Sequence, residues 1–259
     1  MITVVSAKEI YDFIDSFAPF DTAMDFDNVG ILVGDSRCES DCVLLALDVS
    51  PSVIDEAVSC NSKIIVTHHP VIFNPIKKLS EQDVVYLAAR HGITIISAHT
   101  NLDIAQSGVN ETLAKAIGVE IHDHYPEDCA LMGKVEATDC KDFAKSICEK
   151  LSLEGLRYTD TGSVIEKVMV SCGAGGSNIF LAARCGVQAF VTGEIKHHEI
   201  MFANSAGISV FDLGHYGSED LIIPSFAVRL SVKFPEAVFR QAKADTDMIK
   251  YYSGGKNGS

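Results

Sequence analysis

Two segments of this 259-residue chain match each other without a gap. A shift of 125 positions places residues 43–67 on residues 168–192, and 7 of the 25 aligned pairs are identical. A shift of 115 positions then sets Gly-Ile-Thr-Ile-Ile at 92–96 on Gly-Ile-Ser-Val-Phe at 207–211. A match of this kind predicts a duplicated structural unit. Chance agreement between two unrelated units of one fold class is the alternative.

Both segments alternate short apolar runs with amphipathic stretches. The first is predicted to be strand, helix, strand, helix, strand over 43–49, 51–58, 64–67, 81–91 and 93–97. The second is predicted to follow the same order over 168–172, 178–184, 189–192, 194–204 and 208–213. This alternation is typical of a sheet with helices packed on its faces. The predicted fold class is therefore α/β, with two similar domains that each hold a mixed sheet flanked by helices.

Domain limits follow from where the repeated units begin and end. The first domain is predicted to comprise residues 1–127 plus 220–252, because the strand-like stretch 237–244 is expected to return to the first sheet. The second domain is predicted at 128–219, and a metal site is expected at the junction of the two. Residues 253–259 are rich in Gly and Ser, which predicts a flexible tail.

Charge and hydropathy restrict the partners. The formal net charge is -14, and an acidic surface repels nucleic-acid phosphates and anionic membranes, so neither partner is expected. The sequence shows neither a signal segment nor an apolar run near 20 residues, which predicts a cytoplasmic protein. The 8 cysteines include no C-x-x-C pair, and in a reducing compartment they are expected to be small buried residues.

Polar clusters follow three of the predicted strands. They are Thr67-His-His-Pro70, Ala98-His-Thr-Asn-Leu-Asp103 and Gly214-His-Tyr-Gly-Ser-Glu219. Ligands in α/β folds gather at the carboxyl ends of strands, and the second and third clusters occupy equivalent places in the two units. One site at the junction of the units is therefore expected to collect side chains from both.

Residue types and spacing within these clusters suit metal binding. The candidate ligands are His68, His69, Asp103, His215 and Glu219. Three imidazoles and two carboxylates are too many for one closed tetrahedral site, but they suit two ions about 3.5–4 Å apart with a bridging carboxylate, for which Glu219 is the candidate. Mixed imidazole and carboxylate ligands suit zinc, iron, manganese or nickel, so the metal's identity stays open.

Each piece taken alone has a simpler interpretation. Adjacent histidines such as His68 and His69 are more often structural or surface residues than ligands. Asp103 could be a helix N-cap, and His215 with Glu219 could be a hydrogen-bonded pair one helical turn apart. The combined case is stronger because all five residues fall just after predicted strands.

Three further side chains are candidates for roles beside the metals. Glu194 and His198 are predicted to share a helical face and either orient ligands, contact substrate or lie on an ordinary exposed surface. His99, four residues before Asp103, is the candidate catalytic residue for proton transfer, with a structural role as the alternative. The Gly-rich stretch 173–177 could hold an anion, but it lacks the Lys of a Walker loop, and a tight turn is the preferred interpretation.

Five motifs together resemble a known family. They are Asp27-Asn-Val-Gly-Ile-Leu-Val-Gly34, Thr67-His-His-Pro70, Ser97-Ala-His-Thr-Asn-Leu-Asp103, Thr192-Gly-Glu-Ile-Lys-His-His198 and Gly214-His-Tyr-Gly-Ser-Glu219. In this order they resemble the Nif-three-like family (NGG-one-interacting factor three), also called dinuclear-metal-centre hexameric proteins or GTP cyclohydrolase 1 type 2 homologues. One departure is Phe26, where the family usually has Trp.

The resemblance implies two α/β domains, a metal pair at the five positions given above and a toroidal homohexamer. Two functions follow as hypotheses. The first is a metal-dependent hydrolase that acts on a small-molecule nucleotide or phosphoester, as GTP cyclohydrolase does. The second is a non-catalytic metal-binding or regulatory scaffold that uses the same ligands.

Overall fold

The computed structural model describes residues 4–250 and 252, and the predicted tail at 253–259 lies outside them. The strands, in chain order, are β1 (Val5–Ser6), β2 (Gly30–Val33), β3 (Glu39–Ser40), β4 (Cys42–Ala46), β5 (Ile64–Thr67), β6 (Thr94–Ser97), β7 (Glu120–Tyr125), β8 (Ala130–Thr138), β9 (Arg157–Tyr158), β10 (Ile165–Ser171), β11 (Ala189–Thr192), β12 (Ser209–Asp212) and β13 (Val238–Gln241).

The helices, in chain order, are α1 (Ala7–Asp15), α2 (Pro51–Ser59), α3 (Val84–Arg90), α4 (Thr100–Ile104), α5 (Val109–Ile117), α6 (Cys140–Leu151), α7 (Ile179–Cys185), α8 (His197–Ser205), α9 (His215–Glu219) and α10 (Ile222–Lys233). Short 3₁₀ helices occur at Phe20–Thr22, Pro126–Asp128 and Gly175–Asn178. The predicted α/β class is confirmed: sheets are flanked by helices.

The first sheet has the strand order β13-β4-β5-β6-β2. Four of its five strands, β13, β4, β5 and β6, run parallel, and the fifth, β2, is antiparallel to β6. Alternate side chains of β4 enter different cores: Val43 and Leu45 belong to one buried cluster, Leu44 and Ala46 to another. The sheet is therefore covered on both faces, which explains why its central strands β4 and β5 are almost continuous apolar runs.

The second sheet has the strand order β7-β8-β10-β11-β12-β9. Strands β10, β11 and β12 are parallel, while β7, β8 and β9 extend the sheet with antiparallel pairings. Val168 and Val170 of β10 lie in the same buried cluster as Val43 and Leu45 of β4. One hydrophobic core thus joins the two sheets and fixes their relative position.

Elements of the two units coincide under the offsets found in the sequence. Strand β5 falls on β11 with a shift of 125, and both β6 and α4 fall on β12 and α9 with a shift of 115. The carboxyl ends of these strands therefore carry equivalent connections. The duplication itself stays a prediction.

The domain limits also stay predictions, and two strands bear on them. Strand β13 pairs with β4, so the chain does return to the first sheet after residue 220. Strand β7 pairs with β8 in the second sheet, although it precedes the predicted limit at residue 127. The longest described helices, α6 and α10, have 12 residues each, and none in this part of the chain has the length and apolar character to cross a membrane.

Candidate metal centre

The five candidate ligands come from three connections at one edge of the two sheets. His68 and His69 directly follow β5, and their backbone N–H groups donate to the carbonyls of Ala46 and Leu47 at 3.1 and 3.0 Å. These two bonds extend the pairing with the chain after β4 and hold both histidines on fixed backbone. Asp103 lies in α4 after β6, and His215 and Glu219 lie one turn apart in α9 after β12.

Glu219 stands at the centre of this cluster. Its Oε2 atom lies 2.9 Å from His69 Nε2, 3.1 Å from His215 Nε2 and 3.9 Å from His68 Nε2. His68 Nε2 also lies 3.4 Å from Asp103 Oδ1. The five side chains form two groups that could each hold a metal ion, His68–Asp103–Glu219 and His69–His215–Glu219, and Glu219 belongs to both. A third group with ligand atoms equally close is His68–His69–His99.

The donor set fits a metal at His68 in particular. The His68 ring is buried, and its Nδ1 donates to the Ala98 carbonyl at 2.9 Å. Its Nε2 has no hydrogen-bond partner in the described structure, although it is fully enclosed. A buried nitrogen without a partner is costly, and an imidazole held through Nδ1 is the usual form in which Nε2 binds a metal.

The pKa values of the other two imidazoles, His69 and His215, also indicate a site that favours a cation. Burial alone would lower the pKa of His69, but the Asp48 and Glu219 carboxylates raise it to about 10. The hydrogen bond with Glu219 raises the pKa of His215 to about 9 against the effect of burial, with Glu194 adding to the rise. The surrounding carboxylates thus favour positive charge on both rings. A divalent cation would supply that charge in place of protons.

The two carboxylates differ from each other. Burial would raise the pKa of Glu219, but hydrogen bonds from His215 and His69, together with the nearby His68 ring, hold it well below the usual range. Burial raises the pKa of Asp103, and the His68 ring opposes that rise only in part. The surroundings therefore favour the charged form of Glu219, whereas burial disfavours the charged form of Asp103.

Carboxylates outside the cluster hold two of its rings, and that of the neighbouring His99, in place. Asp48 accepts from His69 Nδ1 at 2.9 Å, Glu194 accepts from His215 Nδ1 at 2.8 Å, and Asp27 accepts from His99 Nδ1 at 2.9 Å. Such contacts fix the ring orientation and leave Nε2 for a ligand. Glu194 thus has the geometry of an orienting residue, as one of its predicted roles requires.

His198 does not join the site. It is exposed on α8, which begins at His197, so Glu194 lies before the helix and the two do not share a helical face. The helix begins late because the Glu199 side chain accepts from the Lys196 backbone N–H at 2.7 Å and fixes the first turn there. The predicted helix 194–204 was therefore wrong at its start.

The Gly-rich stretch 173–177 lies against the cluster as a turn followed by a 3₁₀ helix. Gly173 has a φ of +53°, and a Cβ at this position would collide with Glu219 Oε1 and lie 3.2 Å from His215 Nε2. Its backbone N–H donates to Ser218 Oγ at 3.0 Å. Glycine is thus required here by both the backbone and the room that Glu219 needs.

Sequence reasoning missed two side chains that contact the ligands. Cys172 is buried, and its Sγ lies 3.3 Å from Asp103 Oδ1, while Asp48 supports His69 as described above. Asp48 follows β4 in the structure, but the strand was predicted over 43–49, so the rule that found the ligands placed Asp48 inside the strand and missed it. Cys172 carries no comparable signal, because an isolated cysteine after a strand is ordinary in a core.

A cavity of about 640 Å³ opens beside the cluster, within the size range of small-molecule sites. His69, Asp103, His215 and Glu219 line one side of it, together with His99. The candidate ligands are therefore reachable by a small molecule.

Comparison with known proteins identifies the family. The Duf34/NIF3 family (NGG1p interacting factor 3) matches residues 5–247. The chain belongs to this family. The predicted family resemblance is thereby confirmed.

Proteins with similar sequences include several named "GTP cyclohydrolase 1 type 2 homolog". The protein from Clostridium acetobutylicum is 30% identical over 229 residues, which cover 83% of this chain and 85% of that protein. The protein from Campylobacter jejuni is 32% identical over 221 residues, covering 82% and 86%.

Solved structures of similar proteins share the fold. The Staphylococcus aureus protein SA1388 superposes with a TM-score of 0.88 at 25% identity, covering 96% of this chain and 99% of that one. Reduced HcgD from Methanocaldococcus jannaschii gives a TM-score of 0.81 at 29% identity, covering 94% and 100%. A Bacillus cereus protein related to NIF3 has the same fold at 20% identity, with a TM-score of 0.88.

Proposed function

We propose that this Duf34/NIF3 protein binds two divalent metal ions and hydrolyses a nucleotide or a phosphoester with them. The observation that carries the proposal is the position of Glu219 Oε2, which belongs to both His68–Asp103–Glu219 and His69–His215–Glu219. Such sharing is what a carboxylate that bridges two ions requires. The names of the Clostridium and Campylobacter relatives support a hydrolytic reaction on a purine nucleotide.

The ions would supply Lewis acidity and lower the pKa of water. The chain's own residues do the rest. Asp48 and Glu194 hold the His69 and His215 rings through Nδ1, which keeps each Nε2 directed to the cluster. His99 lines the cavity and is held at Nδ1 by Asp27, so its Nε2 is the atom available to donate or accept a proton.

Hydrolysis is tested with protein loaded separately with zinc, iron, manganese or nickel and incubated with GTP and a panel of phosphoesters. We expect turnover with at least one metal, and we expect Glu219→Ala to abolish it because this change removes the shared ligand. His198→Ala is the matched control, since His198 is an exposed histidine outside the cluster. Turnover that survives Glu219→Ala would contradict the proposal.

Tight metal binding without turnover would instead support the non-catalytic scaffold. In that case the metals and ligands stay as proposed, but the role is regulatory. Pull-down experiments with metal-loaded and metal-free protein then distinguish a scaffold, whose partners change with loading, from an enzyme acting on a substrate outside the panel.

We also propose a toroidal homohexamer located in the cytoplasm. The family resemblance supports this assembly, and helix α10 exposes Val228 and Val232 at 64% and 78%, which suits a protein contact. Light scattering coupled to size exclusion tests it. We expect about six times the 27.9 kDa chain mass.

A further inference from the structure

Two phenylalanines at the mouth of the cavity are unusually exposed for their size. Phe26 is 66% exposed and Phe73 is 47% exposed, and their ring centroids lie 6.3 Å apart at 55°. Both line the cavity that contains the candidate metal ligands. Large apolar side chains left uncovered beside a polar site commonly mark a ligand surface.

The two rings begin a continuous row of rings that ends in the candidate metal centre. Phe73 lies 6.4 Å from His99 between ring centroids, His99 lies 5.5 Å from His69, and His69 lies 5.0 Å from His215. A flat molecule placed on Phe26 and Phe73 is therefore directed along this row toward Glu219. The apolar end of the row, at Phe26, is exposed to solvent, and its polar end lies beside the buried Glu219.

The charge of the cavity restricts what that molecule carries. Glu127 and Asp128 line the cavity from the 3₁₀ helix Pro126–Asp128, and their carboxylates are not among the candidate metal ligands. The charge of Asp103 and Glu219, which also line the cavity, would be offset by the metal ions. Among the described residues that line it, none is lysine or arginine. Polyphosphates are usually held by such cations, so the outer part of this cavity repels a triphosphate and accepts a neutral or cationic ring.

We propose that the cavity binds a planar nitrogen heterocycle, such as a nucleobase in a nucleoside, with its face stacked on Phe26, an edge contact to the inclined Phe73 ring and its polar edge toward Glu219. A triphosphate chain is disfavoured. The proposal rests on the proposed function, because it places this ligand at the same site. Ser177 lines the cavity as well and supplies a hydroxyl group for hydrogen bonding to the ring.

The sequence offers a direct reporter for this stacking. The chain contains no tryptophan, so Phe26→Trp introduces a single indole at the mouth of the cavity and keeps an aromatic face there. Phe180→Trp is the matched control: it makes the same change at a 42% exposed position on α7 that does not line the cavity. Both variants are studied as zinc-loaded protein.

Guanosine, magnesium-bound GTP and ribose 5-phosphate are titrated into each variant. We expect guanosine to quench Phe26→Trp fluorescence saturably and to leave Phe180→Trp unchanged. We expect GTP to bind about tenfold or more weakly than guanosine, and ribose 5-phosphate to give no quenching. Adding Phe73→Ala to Phe26→Trp should weaken guanosine binding about tenfold, since aromatic stacking has an effect of that size.

Glu127→Gln tests the effect of charge on binding. It should reduce the ratio of the affinities for guanosine and GTP a few-fold, because it removes one carboxylate from the cavity lining. GTP binding as tight as guanosine, no saturable quenching, or equal quenching in Phe180→Trp would each overturn the inference.

Elemental analysis and turnover of the same preparations separate this inference from the function proposed above. Protein that holds metal and turns over phosphoesters, but does not bind guanosine, contradicts the stacking proposal alone. Protein that binds guanosine at Phe26→Trp without any turnover contradicts the hydrolase alone.

Discussion

In the two α/β units, different residue types follow the strands that correspond to each other. Under the shift of 125, His68 and His69 after β5 correspond to Gly193 and Glu194 after β11, and Asp48 corresponds to Gly173. At two of these three positions the first unit has a side chain where the second has glycine, and at the third His69 corresponds to Glu194. A Cβ at Gly173 would collide with Glu219 Oε1.

In the short helices α4 and α9, which follow β6 and β12, it is the second unit that carries the candidate ligands at the compared positions. Under the shift of 115, His215 and Glu219 of α9 correspond to Thr100 and Ile104 of α4. The second unit thus provides the shared carboxylate, and the first provides most of the imidazoles. The two units are complementary, and neither contains a complete set of donors.

The largest effect is expected from the residue that joins the two halves of the centre. Glu219→Gln should reduce bound metal from about two ions per chain to well below one, because both groups lose their common ligand. Asp103→Asn should leave about one ion, because His69, His215 and Glu219 remain. Elemental analysis of chelator-free protein measures both.

Equal losses in these two variants would contradict the division into two groups. Circular dichroism of each variant serves as the control for folding. Both positions are buried, and both replacements keep the size of the side chain.

An intermediate effect is expected from the carboxylates that hold the rings. Asp48→Asn in the first unit and Glu194→Gln in the second should each weaken metal affinity about 10–100-fold, as loss of an orienting contact usually does. Competition with a chromophoric chelator measures the affinity. His198→Ala should leave it unchanged, and a comparable loss in that variant would show that the effect is not specific to ring orientation.

The smallest effect is expected from a single methyl group. Gly173→Ala and Gly186→Ala both put Ala at positive φ, +53° and +64°, which costs about 1–2 kcal/mol of unfolding free energy. Gly186 has no atom within 4 Å of an added Cβ, so Gly186→Ala should show only this backbone cost. Gly173→Ala should also weaken metal binding, since it displaces Glu219. Urea unfolding and chelator competition separate the two effects, and equal metal affinity in both variants would argue against a spatial role for Gly173.

Much of the parallel core could be predicted because it depends on local pattern. Buried β-branched runs such as 64–67 and 189–192 gave β5 and β11 with the observed bounds. Strand β7 was not predicted because Glu120–Tyr125 is mostly exposed and polar and shows no apolar run. Its pairing with β8 depends on a contact that the sequence pattern does not contain.

The candidate ligands could be proposed because each follows a predicted strand. The carboxylates that orient the imidazole rings could not be proposed, because their contacts join segments that are distant in the sequence. Asp27 and His99 are separated by 72 residues in the chain, and Glu194 meets His215 only after α8 has turned the chain back. Residue type alone did not distinguish Glu194, which touches the centre, from His198, which does not.

The position of Glu219 in the sequence also determines when the set of candidate ligands becomes complete during synthesis of the chain. It lies 150 residues after His69 in the chain. At typical synthesis rates of roughly 5–20 residues per second, about 8–30 s separate the emergence of these two residues. The early histidines therefore leave the ribosome long before the carboxylate that they share. A nascent chain holds only an incomplete, weaker site during that interval, so stable metal uptake is expected after synthesis, when nearly the whole protein has folded.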